Sequence, residues 1–239
     1  MNLINSIFSS MLLLGNLFEL IPLLMIPVII AIVVYGVWHG QRKVKLRQEA
    51  MQKVATELGL VYQQVRPGDY DGRISKYKLI QYGRNRQSSN FILATTDELT
   101  LLIFDHQYTT GSGKNKHVHR QTIAWVISKN LLTPQFMISP ESWFSRIADL
   151  FTKKDIDIPG DPEFSKKFLL IGENQDQIRQ FFDLNRRQSL MKINMSTIEC
   201  FPGELMFYRP NQQTNPAELK SLMNEAFEIY QAFATLPSE

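Results

Sequence analysis

From Leu20 to Trp38 the chain reads LIPLLMIPVIIAIVVYGVW, 19 positions without a charged side chain. A helix of that length rises about 1.5 Å per residue and is roughly 29 Å long, the thickness of a bilayer's hydrocarbon core. Pro22 and Pro27 lie in its first half, where a membrane helix tolerates them at the cost of a kink. Tyr35 and Trp38 sit near its end, where amphipathic rings favour the membrane–water interface. The stretch therefore predicts a transmembrane helix. A cleaved signal peptide would need a basic start and a small-residue cleavage site. Met1–Phe18 holds no Lys or Arg, and no A-x-A follows the apolar run.

Charge breaks sharply after that run. Arg42, Lys43, Lys45 and Arg47 follow within ten residues, whereas the N-terminal flank offers only Glu19. Basic flanks stay on the cytoplasmic side, so the expected topology is N-terminus out and C-terminal domain in, single-pass, in the cell's inner membrane. The same four cations form an expected membrane-surface site for anionic lipid headgroups. From Arg42 to Lys53 the net charge is +4 against +3 for the whole chain, so the remainder is near neutral at −1. That balance speaks against nucleic-acid binding by the domain.

Four segments are expected. Residues 1–19 form an amphipathic or extracytoplasmic segment: Leu3, Ile4, Ile7, Phe8, Met11, Leu12 and Leu14 recur at helical spacing. It lies on the outer surface, extends the membrane helix, or pairs with it as a hairpin. Residues 20–38 span, residues 39–59 form a basic juxtamembrane helix stopped at Gly59, and residues 60–239 form the cytoplasmic domain.

The domain reads as α+β on an antiparallel sheet. Tyr77–Tyr82, Phe91–Thr95, Leu99–Gln107 and His117–Ser128 are rich in β-branched and aromatic residues, with turns at Asn85–Asn90 and Thr96-Asp-Glu. Ser139-Pro-Glu opens a predicted helix bearing Trp143, Phe144, Ile147, Leu150 and Phe151, and residues 152–166 read as a loop. Then come a strand at Phe168–Ile171, a helix at Asn174–Leu190, and strands at Thr197–Phe201 and Leu205–Arg209. Asn215-Pro-Ala-Glu is a capping box opening a last helix.

Candidate chemistry centres on Phe104-Asp-His-Gln-Tyr-Thr-Thr-Gly-Ser-Gly-Lys-Asn-Lys-His-Val-His-Arg120. A phosphate loop needs a glycine separated by four residues from its Gly-Lys and a hydroxyl after it, but Tyr108 and Asn115 occupy those places. A glycine-rich hairpin turn fits better. His106, His117 and His119 fall in this hairpin, and a turn centred at Ser112–Gly113 puts His106 opposite His119 with His117 on the same face. Three imidazoles so placed are a candidate zinc or copper site. Asp105 and Arg120 are expected to pair on the other face. Asp155, Asp157, Asp161 and Glu163 lack the EF-hand spacing and read as a solvated loop. Cys200, the one cysteine, reads as a packed strand residue.

The chain resembles a group of bacterial membrane-anchored proteins with no assigned function. The likeness rests on the N-terminal membrane helix, the helix ending Leu58-Gly-Leu60, and the segment Phe104-Asp-His-Gln-Tyr-Thr-Thr-Gly-Ser-Gly-Lys114. Asp155-Ile-Asp-Ile158 and Pro162-Glu-Phe-Ser165 are similar too, so the likeness spans most of residues 42–235. No activity comes with the group, so no residue here receives a role from it. No motif names a cofactor, and enzymatic activity is neither indicated nor excluded. The leading expectation is a membrane-tethered binding or scaffold module with an unidentified protein partner. The runner-up is an enzyme or metal-binding domain using the histidine hairpin. A third is a lipid-surface sensor working through the basic helix.

Overall fold

The computed structural model describes residues 2–143, 155–193 and 196–234, and side chains from Met25 onward. The chain divides into two units, Met1–Glu49 and Ala50–Glu239. In the first, residues 3–18 and the apolar stretch belong to one helix, α1, Asn2–Glu57. It is long and apolar enough to cross a membrane. Its large apolar side chains stand exposed, among them Ile32 at 65% and Val34 at 61%. For isolated side chains such exposure would be ordinary, whereas a contiguous run of it marks a surface for contact with a membrane or another protein. Helix α1 ends where expected: Gly59 takes φ +70°, and Leu60 N returns to the carbonyl of Ala55 at 2.8 Å.

The second unit is built on one eight-stranded sheet in which every strand pair is antiparallel. Its strands are β1 (Val61–Gln63), β2 (Arg84–Thr95), β3 (Thr100–Thr110), β4 (His117–Ile127), β5 (Phe136–Pro140), β6 (Phe168–Gly172), β7 (Thr197–Phe201) and β8 (Glu204–Tyr208). Their spatial order is β1-β2-β3-β4-β8-β7-β5-β6. The domain is thus α+β, with a three-stranded meander, β2–β3–β4, and a tight hairpin, β7–β8, joined by the β4–β8 pair.

Period-2 alternation sends side chains to two buried faces. One carries Ile92, Leu101, Ile103, Ala124, Val126, Ile138 and Phe207. Against it pack Met51 and Ala55 from the last turns of α1, and the C-terminal helix α7 (Leu219–Phe233). Helix α7 offers Leu222, Ala226, Ile229 and Phe233 at helical spacing, which is why the sequence stripe was legible. The other face carries Phe91, Leu102, Phe104, Ile123, Trp125 and Met206 under a cap made by residues 68–82. That cap contains two single-turn helices, α2 (Asp71–Ile74) and α3 (Lys78–Gln81).

Several sequence expectations are corrected. Tyr77–Tyr82 is not a strand, because Lys78–Gln81 within it forms α3: Leu79 and Ile80 are adjacent and both buried, which no strand facing a single sheet allows. Asn85–Asn90 is not a turn but part of β2. Asn85 and Asn90 take φ of 51° and 58° where the β2–β3 register shifts, so the strand continues through two irregularities. Strand β1 pairs only with Phe91–Leu93, leaving Arg84–Ser89 as a sheet edge. Ser139 caps no helix. It is a β5 residue whose Oγ meets Thr197 Oγ1 at 2.8 Å. The helix expected beyond Trp143 falls on 144–154, outside the described residues. The expected loop at 152–166 ends in a helix instead, α4 (Pro162–Lys167), and Asn174–Leu190 divides into α5 (Gln175–Phe181) and α6 (Leu184–Lys192), the latter capped by Asp183.

Candidate functional site

Strands β3 and β4 pair from Thr100↔Ile127 to Thr110↔His117. His106 therefore lies opposite Gln121, His119 opposite Tyr108, and His117 opposite Thr110. All three imidazoles share the capped face, as expected, but the direct His106–His119 pairing is corrected by a two-residue offset. The turn sits later than a Ser112–Gly113 centre would put it, because residues 113–115 form a 3-10 turn.

Each histidine then meets a different environment. His106 is 2% exposed, and its Nδ1 lies 2.9 Å from Ser88 Oγ. Burial first, and the Arg66 guanidinium second, lower its pKa to about 4, so the ring is neutral. Its Nε2 lies by the Leu79 backbone without reaching hydrogen-bond geometry. His119 has both nitrogens engaged, Nε2 with Thr110 Oγ1 and Nδ1 with Asn211 Oδ1, each at 2.7 Å. Its ring stacks on Tyr108 at 4.7 Å. His117 is exposed at the tip. Among the described residues no group of three His, Cys, Asp or Glu side chains could hold a metal ion. The donor set offers one free imidazole where a zinc site needs three or four ligands.

The tip itself is a strand–turn–strand. Gly111 has φ +65°, and a Cβ there would stand 1.9 Å from the carbonyl oxygen of Asn115. Hairpin closure, not phosphate, accounts for that glycine. The expected Asp105–Arg120 pair gives way to other partners. Arg120 Nε donates to Gln107 Oε1 at 3.2 Å, while Asp105 accepts from Asn90 Nδ2 and Thr122 Oγ1, each at 2.9 Å.

Sequence reasoning missed the polar anchor beneath the cap. Glu204 is 2% exposed. Its Oε1 meets Lys76 Nζ at 2.6 Å and Arg73 Nη2 at 3.2 Å; its Oε2 accepts from Tyr77 OH at 3.2 Å and Trp125 Nε1 at 3.1 Å. Glu199, also buried, accepts from Tyr208 OH at 3.0 Å and from the backbone N–H of Lys78 at 2.9 Å. Burial pushes the Glu199 carboxyl up, against the pull of those donors. Every carboxylate oxygen has a donor from within the fold, so the pair clamps residues 73–78 onto β7 and β8. The only signal in the sequence was an acid inside each of two apolar strands, Ile198-Glu-Cys200 and Glu204-Leu-Met206.

The acidic loop is likewise structural. Asp155 Oδ1 accepts from Leu170 N at 2.8 Å. Asp161 caps α4 through Phe164 N and pairs with Arg187 at 2.7 Å, which together hold its carboxyl below the usual carboxylate range. Cys200 is fully buried, and burial raises its thiol well above the ordinary value.

Exposed surfaces lie elsewhere on the molecule. At the β2–β3 turn an open cavity of about 560 Å³ is lined by Leu99, Leu101, Val126, Met223, Phe227 and Tyr230, with Asp97 and Glu98 beside them. On α1, Arg42, Lys43 and Lys45 are exposed, and Arg47 is partly so. The Arg42 guanidinium lies 5.4 Å from the Trp38 ring centroid, a cation–π contact that joins the apolar stretch to its cationic border. In comparisons with known protein families, characterised proteins and solved structures, nothing matches this chain.

Proposed function

We propose that the protein is a membrane-tethered binding module, held by α1 with its N-terminus outside and its α+β domain on the cytoplasmic face of the inner membrane. The observation that carries this reading is the boundary on α1. Nineteen uncharged residues end at Trp38, and Arg42, Lys43, Lys45 and Arg47 follow with no acid before Glu49. Cations hold their side of a membrane helix in the cytoplasm and gain from anionic headgroups. Binding fits the domain better than catalysis. Its buried carboxylates Glu199 and Glu204 are used up inside the fold. The cavity beside α7 is lined chiefly by apolar side chains and offers contact rather than proton transfer.

Fractionation tests the tether: the full chain stays with membranes through alkaline carbonate washing. Recovery in the supernatant overturns the reading. Orientation is read from Ser112→Cys, since native Cys200 is buried. An impermeant maleimide labels it only after cells are opened, and labelling of intact cells reverses the topology. For binding, gentle detergent extraction yields a stoichiometric protein partner that Phe227→Ser loses. A full chain that purifies alone counts against the module.

A further inference from the structure

The β3–β4 tip concentrates positive charge. Arg84, Arg86, Lys114, Lys116 and Arg120 are all exposed, and His117 stands with them. Along β2, β3, β4 and the 111–116 turn the one acid is Asp105, which is 5% exposed and held by Asn90 and Thr122. The next acids along these strands, Asp97 and Glu98, lie at their other end, about 34 Å from the turn by strand rise and several Debye lengths off; of the acids in the cap, Asp71 is paired with Arg66 at 3.1 Å. None of the five cations makes an ion pair among the described residues. Arg84 and Arg86 donate to the backbone carbonyls of Gly111 and Gln81, and Arg120 donates to the Gln107 amide. Their charge is left whole.

The cations do not converge on a point. Arg84 and Arg86 sit on β2, Lys114 and Lys116 in the turn, and Arg120 on the face opposite His119. A single phosphate needs donors aimed at one place. An anionic plane needs only cations spread over one end of the molecule.

We propose that this basic tip docks on the anionic headgroups of the membrane that anchors the chain, a second lipid contact separate from Arg42–Arg47. It rests on the tether reading, because anchoring supplies the high local concentration that makes weak, diffuse attraction count. Each cation near such a surface is worth about a fivefold factor. Glycine at 111 permits the close approach to Asn115 that lets the turn present Lys114 and Lys116 at the tip.

The test uses the full chain in lipid nanodiscs, with a dye on Ser112→Cys and a nitroxide on the lipid headgroups. Discs of phosphatidylcholine alone are compared with discs containing phosphatidylglycerol. The expected result is quenching in anionic discs only, relieved by high salt, and a docked-to-undocked ratio roughly thirtyfold lower in Lys114→Ser/Lys116→Ser. A chain that stays in both discs and is quenched equally in each, or insensitively to salt or to the double substitution, overturns the proposal alone. A chain that elutes apart from both discs overturns the tether reading and this proposal with it. Tighter engagement of a short oligonucleotide than of the anionic disc assigns the cations to nucleic acid and also overturns it.

Discussion

The two ends of the β2–β3–β4 meander are made from the same strands and differ in almost everything else. At one end Asp97 and Glu98 flank an apolar cavity closed on one side by α7. At the other, Arg84, Arg86, Lys114, Lys116 and Arg120 crowd a hairpin tip with no exposed acid among them. The capped face buries its charge: Glu204, opposite Ile127 at the cavity end, is neutralised by Arg73 and Lys76, and His106, nearer the tip, is kept neutral. A formal charge near zero therefore describes this domain poorly. What matters is that the strands are long enough to hold opposite charges several Debye lengths apart.

The largest expected effect removes the buried acid at the cavity end. Glu204→Ala takes the carboxylate acceptor from the buried Tyr77 hydroxyl and Trp125 Nε1–H and leaves a void beneath the cap, costing about 3–5 kcal/mol in urea unfolding. A loss below about 1 kcal/mol shows that the clamp under residues 73–78 contributes little. Next is the neutral imidazole between the ends. Because the folded ring titrates at about 4 and an unfolded one near 6.5, the unfolded chain gains a proton between those values. Stability is complete above about pH 6.5 and falls by roughly 3 kcal/mol as pH drops to 4. His106→Gln flattens that slope; an unchanged slope places its origin elsewhere.

Gly111→Ala attacks the basic end, where the added Cβ meets Asn115 and φ is positive. It costs about 2 kcal/mol and loosens amide exchange over 111–116 with the cavity end unaffected. Loosening that spreads to Thr96–Leu99 means the two ends are not independent. The smallest effect is the sharpest control. Lys114→Ser/Lys116→Ser changes stability by no more than about 0.5 kcal/mol, since both side chains are exposed and unpaired among the described residues.

Legibility in the sequence followed how each element is stabilised. Helix α7 and the β3–β4 pair were visible because their apolar periods match their own geometry. The C-cap at Gly59 and the turn at Pro202-Gly203 carry local chemistry that needs no partner. The cap at residues 68–82 was misread because Tyr77, Leu79 and Ile80 are placed by the sheet they cover, and their β-favouring side chains mislead when that sheet is unseen. The asparagines of β2 read as turn formers, yet Asn85 and Asn90 use their tolerance of positive φ to irregularise a strand. Of the site, the histidine face was legible and its register was not, since one 3-10 turn moved every pairing. The carboxylate clamp was invisible because its partners lie more than a hundred residues apart, as Lys76 and Glu204 do.

On the proposed tether, which confines the chain to a surface, the unpaired margin of β2 matters most. Proteins crowded in two dimensions meet edge to edge often, and a flat open strand is a template for their polymerisation. Here Asn85 and Asn90 bend that margin at both ends, and Arg84 and Arg86 would set like charges against each other in any continuous ladder of copies. The sheet can stop growing at β1 without a helix to cover it.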